Sequence, residues 1–255
     1  MKNNLLASIA ENTVLVSIFI LLIVTMFVAA RLAENYVAKK TGEENPGLST
    51  RKMVIIGIFS AISAVLMLFE IPMPFAPSFY KLDLSDLPAV IGGFAFGPMT
   101  GVMIEFIKIL LNLIINGTQT AFIGELANFV VGCSYVLPAS IIYIFKKNRQ
   151  TAFISCLTAT MIITIVGSSL NAFYLLPAFA KLYGMPLDAL IGMGTAINPA
   201  ISNMFTFVLF AVAPINLLKG GVLSTITILV YKKISPILKN TTIVSTRKAE
   251  TESEA

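Results

Sequence analysis

Two ionisable side chains, Glu105 and Lys108, lie within the apolar stretch 96–116. Because they are three residues apart, we expect them to share one face of a helix. A carboxylate and an ammonium at membrane depth are costly, and such groups normally face a partner, a cavity or a ligand. The pair therefore has two interpretations: a structural ion pair inside a helix bundle, or part of a site that holds a polar solute.

Further polar residues occur in the later apolar stretches. Their depth is estimated at 1.5 Å per residue from the outer end of each helix. Most of these residues lie within about 12 Å of the outer end, and Lys108 lies deeper. The shared depth predicts one pocket that opens to the outside. The predicted binding residues are Lys108, Glu125, Asn128, Asn171, Asn216 and Lys219.

These residue types suit a planar, polar solute. An asparagine amide presents a donor and an acceptor in one plane, which matches the mixed edge of a heterocycle. Lys219 is expected to donate to a carbonyl or ring nitrogen, and Glu125 to accept from hydroxyl groups. The alternative is structural, because asparagines in membrane helices often bond only a neighbouring helix. Glu125 and Lys219 would then form an ion pair within the bundle.

Aromatic side chains are expected to form the walls of this pocket, because they stack on planar rings. The proline-containing loop 70–86 is predicted to roof it. Each aromatic residue has the alternative of a core or lipid-facing position. The candidates are Phe75, Phe79, Tyr80, Phe129, Phe173 and Tyr174.

The composition indicates the class of protein. Of the 255 residues, 56% are hydrophobic and 12% are charged, which is too apolar for a soluble domain. Stretches of about 20 apolar residues, the length that crosses a bilayer, recur along the chain. The predicted fold class is an all-α integral membrane protein.

Several chemistries lack the residues that they require. The sequence has no histidine, the commonest metal ligand, and no Gly-x-x-x-x-Gly-Lys-Ser/Thr phosphate loop. Cys133 and Cys156 lie in apolar stretches, which argues against a disulfide framework or a thiolate metal site. We therefore expect no catalytic centre, no metal site and no ATP hydrolysis by this chain through such a loop.

The formal charge of +5 is better explained by membrane topology than by nucleic acid binding. Most of the 18 Lys and Arg residues lie in three segments, 31–52, 146–149 and 232–248. Basic residues accumulate in cytoplasmic segments. These three segments are therefore predicted to be cytoplasmic.

The apolar stretches then alternate between the two sides. The first, 13–30, is interpreted as a retained helix and not a signal peptide, because basic residues follow it and only Lys2 precedes it. The stretch 177–213 is interpreted as an external segment with a surface or re-entrant helix, and the tail 240–255 as disordered. The other predicted helices are 53–69, 87–96, 99–115, 121–145, 151–176 and 214–231.

Small residues recur at helical spacing after the first basic segment. Gly57, Ala61 and Ala64 are predicted to form a face that another helix approaches closely. Packing within the chain and docking of a partner subunit explain this pattern equally well.

Short motifs follow one another in a recognisable order between about residues 51 and 237. They are Lys81-Leu-Asp-Leu-Ser-Asp-Leu-Pro, Phe96-Gly-Pro-Met-Thr-Gly-Val-Met-Ile-Glu-Phe-Ile-Lys, Asn116-Gly-Thr, Gly124-Glu-Leu-Ala-Asn-Phe, Leu170-Asn-Ala-Phe-Tyr-Leu-Leu-Pro and Pro214-Ile-Asn-Leu-Leu-Lys-Gly. Each motif is weak alone. Together they resemble the riboflavin-specific substrate-binding (S) component of energy-coupling factor (ECF) transporters.

The resemblance implies a six-helix bundle that captures riboflavin from outside. A transmembrane coupling subunit and two cytoplasmic ATPases would then topple it in the membrane. The implied flavin contacts are the six polar residues above, with Leu82 and Leu84 in a loop that closes over the ring. Gly57, Ala61 and Ala64 would match the helix that docks on the coupling subunit. Riboflavin is then a transported substrate, and no cofactor is implied.

This interpretation divides the chain into three parts within a multi-pass protein of the cell membrane. Residues 1–50 form an extra N-terminal transmembrane helix and a cytoplasmic linker, 51–239 the six-helix binding domain, and 240–255 a cytoplasmic tail. The alternative function is a stand-alone ion-coupled carrier for a small heterocyclic solute, in which Glu105 and Lys108 exchange protons. An intramembrane enzyme or a structural scaffold is a third class.

Overall fold

The structure is a computed structural model that describes residues 13–41, 47–118 and 120–230. Strands β1 (Ile71–Pro72) and β2 (Lys81–Leu82) pair as an antiparallel hairpin between the second and third helices. The helices of the described residues are α1 (Thr13–Thr41), α2 (Thr50–Met67), α3 (Leu87–Phe96), α4 (Pro98–Asn116), α5 (Ile123–Phe145), α6 (Arg149–Tyr183), α7 (Leu187–Thr195) and α8 (Met204–Val230).

Six of these described helices are long and apolar enough to cross a membrane, namely α1, α2, α4, α5, α6 and α8. The helix α3 is also apolar but shorter. The predicted helical membrane architecture is therefore confirmed. The predicted tail 240–255, and residues 231–239 before it, lie outside the described residues.

The helices α4 and α5 form the centre of the bundle. Ile104 of α4 and Tyr135 and Val136 of α5 are fully buried in an apolar cluster with residues of α2, α3, α6 and α8. A break separates α3 from α4 at Gly97, whose φ of +100° is a conformation that other residues rarely adopt. Pro98 then starts α4 at a position where its missing N–H is not needed.

The bundle has two chemically different ends. The end of α1, the start of α2, the α5–α6 link and the α3–α4 break lie at one end of the bundle. We call it the basic end because it carries Lys40, Arg51, Lys52, Lys147 and Arg149. The hairpin loop, residues 70–86, lies at the opposite end together with the α4–α5 link and the start of α8. We call this the cavity end.

The first helix is longer than the sequence predicted. It runs to Thr41 and not to residue 30, so residues 31–41 are helical and not part of a linker. The reason is packing, because Ala30, Glu34 and Val37 recur at helical spacing and are all buried. Glu34 also accepts a hydrogen bond from the Met99 N–H at the start of α4, at 3.0 Å. Residues 42–46 of the predicted linker lie outside the described residues.

The prediction that 177–213 is an external segment was wrong at both ends of this stretch. The helix α6 continues to Tyr183, and α8 begins at Met204, ten residues before the predicted start. Pro177 and Pro214 do not end these helices, because each follows a π turn, at Asn171–Leu175 or Val208–Val212, that changes the backbone hydrogen bonding. Asn203 caps α8 by accepting from the Thr206 N–H at 2.9 Å.

Candidate functional site

A cavity of about 460 Å³ opens at the cavity end of the bundle. Its walls come from α2, α4, α5, α6 and α8, and the hairpin loop covers part of it. The volume falls in the range of about 300 to 1,000 Å³ that is typical of small-molecule sites. Five of the six predicted polar residues line it together: Glu125, Asn128, Asn171, Asn216 and Lys219.

The other predicted contacts lie elsewhere. Lys108 is fully buried behind the cavity wall and does not line the cavity. Leu82 packs in the apolar cluster below the hairpin loop, and Leu84 packs against the central cluster. Of the predicted aromatic walls, Phe79 and Tyr80 line the cavity, and the others do not. Phe173, for example, is 86% exposed on the outer surface of α6.

The asparagines reach the cavity from π turns and helix ends. Asn171 lies in the π turn of α6 and donates from Nδ2 to the Gly167 carbonyl at 2.8 Å. Asn216 follows the π turn of α8 and donates in the same way to the Val212 carbonyl at 3.1 Å. A Cβ at Gly167 would lie 2.7 Å from Asn216 Oδ1, so a larger residue there would displace the Asn216 amide. Both amides are therefore fixed by their own helices.

Asn128 differs from the other two asparagines. Its Oδ1 is buried and has no hydrogen-bond partner among the described residues. A buried polar atom without a partner is rare, because it loses its bonds to water without replacement. Since Asn128 lines the cavity, this oxygen is available to a donor on a bound molecule.

Glu125 lies in the first turn of α5, where a carboxylate is favoured by the helix dipole. The Thr120 hydroxyl donates to Glu125 Oε2 at 3.1 Å and accepts from the Gly124 N–H at 2.9 Å. Ala121 and Phe122 adopt positive φ angles of 47° and 69°, which turns the chain sharply into α5. This turn places Glu125 in the cavity wall.

The hairpin loop is tied to the cavity through Tyr80. Its hydroxyl donates to Asn171 Oδ1 at 2.7 Å. Burial raises the pKa of the Tyr80 phenol well above its usual range, so the hydroxyl keeps its proton and acts as a donor. An ion pair of 2.5 Å between Lys81, the first residue of β2, and Glu70, the residue before β1, also holds the hairpin together.

A group of buried charges, which we call the charge cluster, consists of Asp83 and Lys219, which line the cavity, and Asp86, Glu105 and Lys108, which lie behind them. Lys108 Nζ lies 2.6 Å from both Asp86 Oδ1 and Glu105 Oε2. Lys219 Nζ lies 2.8 Å from Asp86 Oδ2 and 3.7 Å from Asp83 Oδ2. Glu105 and Lys108 thus form the structural ion pair that was one of the two interpretations of their spacing.

Gly132 of α5 makes room for this cluster. A Cβ at this position would lie 2.5 Å from Glu105 Oε2 and 3.1 Å from Asp86 Oδ1. Contacts this short displace the neighbouring atoms. The glycine therefore allows two carboxylates to pack against the helix backbone.

Comparison with known families identifies the class of this membrane protein. Residues 51–231 match the family described as "ECF transporter, substrate-specific component". The chain belongs to this family. The matched region contains α2 to α8 and excludes α1.

Named relatives of this S component are transporters and not enzymes. It is 34% identical over 189 residues to "Riboflavin transporter RibU" of Staphylococcus aureus (strain TCH60), covering 74% of this chain and 93% of the relative. It is 32% identical over 194 residues to "Riboflavin transporter FmnP" of Bacillus subtilis (strain 168), covering 74% and 94%. The present chain is likewise a multi-pass membrane transport component.

A solved structure is similar as well. It is described as "Structure and mechanism of the S component of a bacterial ECF transporter". The two share 32% identity with a TM-score of 0.58, over 74% of this chain and 98% of the other. The helical bundle seen here is therefore the fold of an S component.

The small-residue face of this S component is only partly exposed. Gly57 and Ala61 are exposed on the outer surface of α2, with nothing within 4 Å of a Cβ built at Gly57. Ala64 is 3% exposed and packs inside the bundle. Val54, Ile58 and other apolar residues complete the exposed surface around Gly57 and Ala61.

Sequence analysis missed Asp83 and Asp86 as part of this site, although their motif was noted. A signal was present in the sequence. Lys108 and Lys219 are two lysines in apolar helices, for which the sequence interpretation names only Glu105 and Glu125 as counter-charges. Buried ammonium groups need paired carboxylates, and the loop directly before α3 supplies two of them.

Proposed function

We propose that this chain binds riboflavin as the substrate-specific component of an ATP-driven ECF vitamin importer, and captures the flavin from the extracellular side. The observation that carries the proposal is the convergence of Glu125, Asn128, Asn171, Asn216 and Lys219 on one cavity. The names of the riboflavin transporters similar to this chain supply the ligand.

The polar groups match the chemistry of riboflavin. Its ring system is planar and carries carbonyl acceptors beside a ring N–H, so Asn128 Oδ1 would accept from that N–H and Lys219 would donate to a carbonyl. Its ribityl chain carries hydroxyl groups that would donate to Glu125. Phe79 and Tyr80 would lie against the ring system as the loop closes.

The charge distribution supports extracellular capture. Arg51, Lys52, Lys147 and Arg149 lie at the basic end, opposite the cavity. Since basic residues accumulate on the cytoplasmic side, the cavity end faces outward. The hairpin loop would then close over a flavin that enters from outside.

The proposal assigns flavin binding to residues 51–239. The six bundle helices are then α2, α3, α4, α5, α6 and α8, and α1 is an additional helix. The described residues that line the cavity all lie outside α1. The exposed surface around Gly57 and Ala61 is the proposed docking site for the coupling subunit, which works with two cytoplasmic ATPases.

Reconstitution into vesicles tests this function against the stand-alone carrier. We expect riboflavin to accumulate only when the coupling subunit, the ATPases and ATP are present. Uptake by this chain alone that an uncoupler abolishes would contradict the proposal and support proton exchange by Glu105 and Lys108. The closed ion pair of these two residues, which do not line the cavity, favours the first outcome.

A further inference from the structure

Asp86 connects a residue of the cavity wall to a residue behind it. One carboxylate oxygen lies 2.6 Å from Lys108 Nζ, and the other lies 2.8 Å from Lys219 Nζ. Lys219 lines the cavity, whereas Asp86 and Lys108 do not. All three side chains are buried. Asp86 therefore contacts the proposed ligand-binding lysine without lying in the cavity wall itself.

Lys219 needs such a partner in order to point in one direction. A lysine ammonium sits on a flexible four-carbon stem, so its position depends on what its N–H groups contact. Asp86 is the nearer of its two carboxylate partners, because Asp83 Oδ2 lies at 3.7 Å. The other oxygen of Asp83 accepts from the Ser85 N–H at 2.8 Å, which holds the loop.

The surroundings keep Asp86 in place. It directly precedes α3, where the helix dipole favours a carboxylate. Lys108 contacts Asp86 and Glu105 and also donates to the Ser85 hydroxyl at 3.1 Å. The backbone at Gly132 closes the remaining side. Asp86 is thus a fixed anion that faces a flexible cation.

We infer that Asp86 is a positioning residue for flavin binding, and that it acts by orienting the Lys219 ammonium at the cavity wall. Lys108 holds Asp86 from behind, Glu105 pairs with Lys108, and neither of these two residues contacts the ligand. This inference rests on the proposed riboflavin site. The loop before α3 would then contribute to riboflavin affinity through Asp86, in addition to closing over the ring.

A double-mutant cycle tests the inference in the full chain. Riboflavin affinity is measured for the wild type, Asp86→Asn, Lys219→Met and the variant with both substitutions. We expect each single variant to bind about tenfold more weakly or worse. The double variant should bind no more weakly than Lys219→Met alone, because Asp86 acts through Lys219. Losses that multiply in the double variant would overturn the inference.

A variant that lacks the Lys108 ion pairs separates positioning of Lys219 from simple neutralisation of Lys108. It combines Asp86→Asn with Lys108→Met and Glu105→Gln, because Lys108→Met without Glu105→Gln would leave the buried Glu105 carboxylate without its partner at 2.6 Å. We expect its melting temperature to recover relative to Asp86→Asn, while riboflavin binding stays weak. Recovery of wild-type affinity would show that Asp86 serves only as a counter-charge. This variant also supplies the binding result if Asp86→Asn alone does not fold.

Chemical labelling of lysine amines in the ligand-free protein tests the role of Asp86 without riboflavin. It therefore distinguishes an error in this inference from an error in the proposed riboflavin site. Modification of Lys219 by a small amine-reactive reagent is followed by mass spectrometry, with exposed Lys81 as the internal reference. We expect faster modification of Lys219 in Asp86→Asn than in the wild type. An unchanged rate overturns the positioning role even if the wild type fails to bind riboflavin.

Discussion

Tyr80 of the hairpin loop donates its hydroxyl hydrogen to Asn171 Oδ1 at 2.7 Å, and this bond joins the loop to the cavity wall. The two residues are 91 positions apart in the chain. Asn171 is itself held by the Gly167 carbonyl within its own helix. The bond therefore holds the hairpin loop to α6.

Removing this hydroxyl is expected to speed riboflavin release. Tyr80→Phe keeps the ring but loses one hydrogen bond, so we expect dissociation to be about two- to tenfold faster. Stopped-flow fluorescence after a chase measures the rate. Tyr36→Phe, at an exposed tyrosine of α1, is the matched control and should leave the rate unchanged. An unaltered rate in Tyr80→Phe would show that the loop closes without this bond.

The unpartnered oxygen of Asn128 predicts a direct contribution to binding. Asn128→Ala removes an acceptor that the flavin N–H would use, and we expect a loss of about 1 to 3 kcal/mol in binding free energy. Isothermal titration of riboflavin measures it. Asn198→Ala is the control, since that side chain accepts from the Ala200 N–H of its own turn at 3.0 Å and does not line the cavity among the described residues. Equal riboflavin affinities of the Asn128→Ala and Asn198→Ala variants would contradict a contact between Asn128 and the flavin.

Gly132 is expected to be required for stability. Gly132→Ala forces a methyl group against Glu105 and Asp86, and overpacking of this kind costs about 1 to 3 kcal/mol. The melting temperature in detergent should fall. Gly221→Ala provides the comparison, because nothing lies within 4 Å of a Cβ there; that variant should melt at or above the wild-type temperature. A Gly132→Ala protein as stable as wild type would mean that the charge cluster relaxes freely.

The exposed face of α2 is expected to serve assembly and not binding. Gly57→Leu places a bulky side chain on this face, so it should leave riboflavin affinity unchanged and reduce co-purification with the coupling subunit. Gly221→Leu alters an equally open glycine on α8 and should preserve assembly. Loss of assembly in both variants, or in neither, would contradict docking through α2.

Sequence reasoning located the polar cavity residues because helical spacing and depth are local properties. Glu125 with Asn128, and Asn216 with Lys219, are three residues apart, so their common faces follow from helix geometry alone. Their convergence in the structure follows from alternation of the helices across the membrane. The helix α4 was also predicted nearly to its observed bounds, because Gly97 and Asn116 mark its ends.

The errors have a common physical cause, which is tertiary context. Pro177 and the polar residues near Asn198 are typical helix breakers, but π turns and capping by Asn203 allow α6 and α8 to pass or begin beside them. The inward position of Lys108 depends on Asp86, which belongs to a different segment of the chain. No local pattern indicates which carboxylate a buried lysine will meet.

Fluorescence titration of riboflavin with the purified full-length chain tests the central claim most directly. We predict saturable quenching of flavin fluorescence with an endpoint of one riboflavin per chain, and a weaker curve for Asn128→Ala. Fluorescence that stays unquenched at protein concentrations well above those of the flavin would contradict a riboflavin site in this cavity.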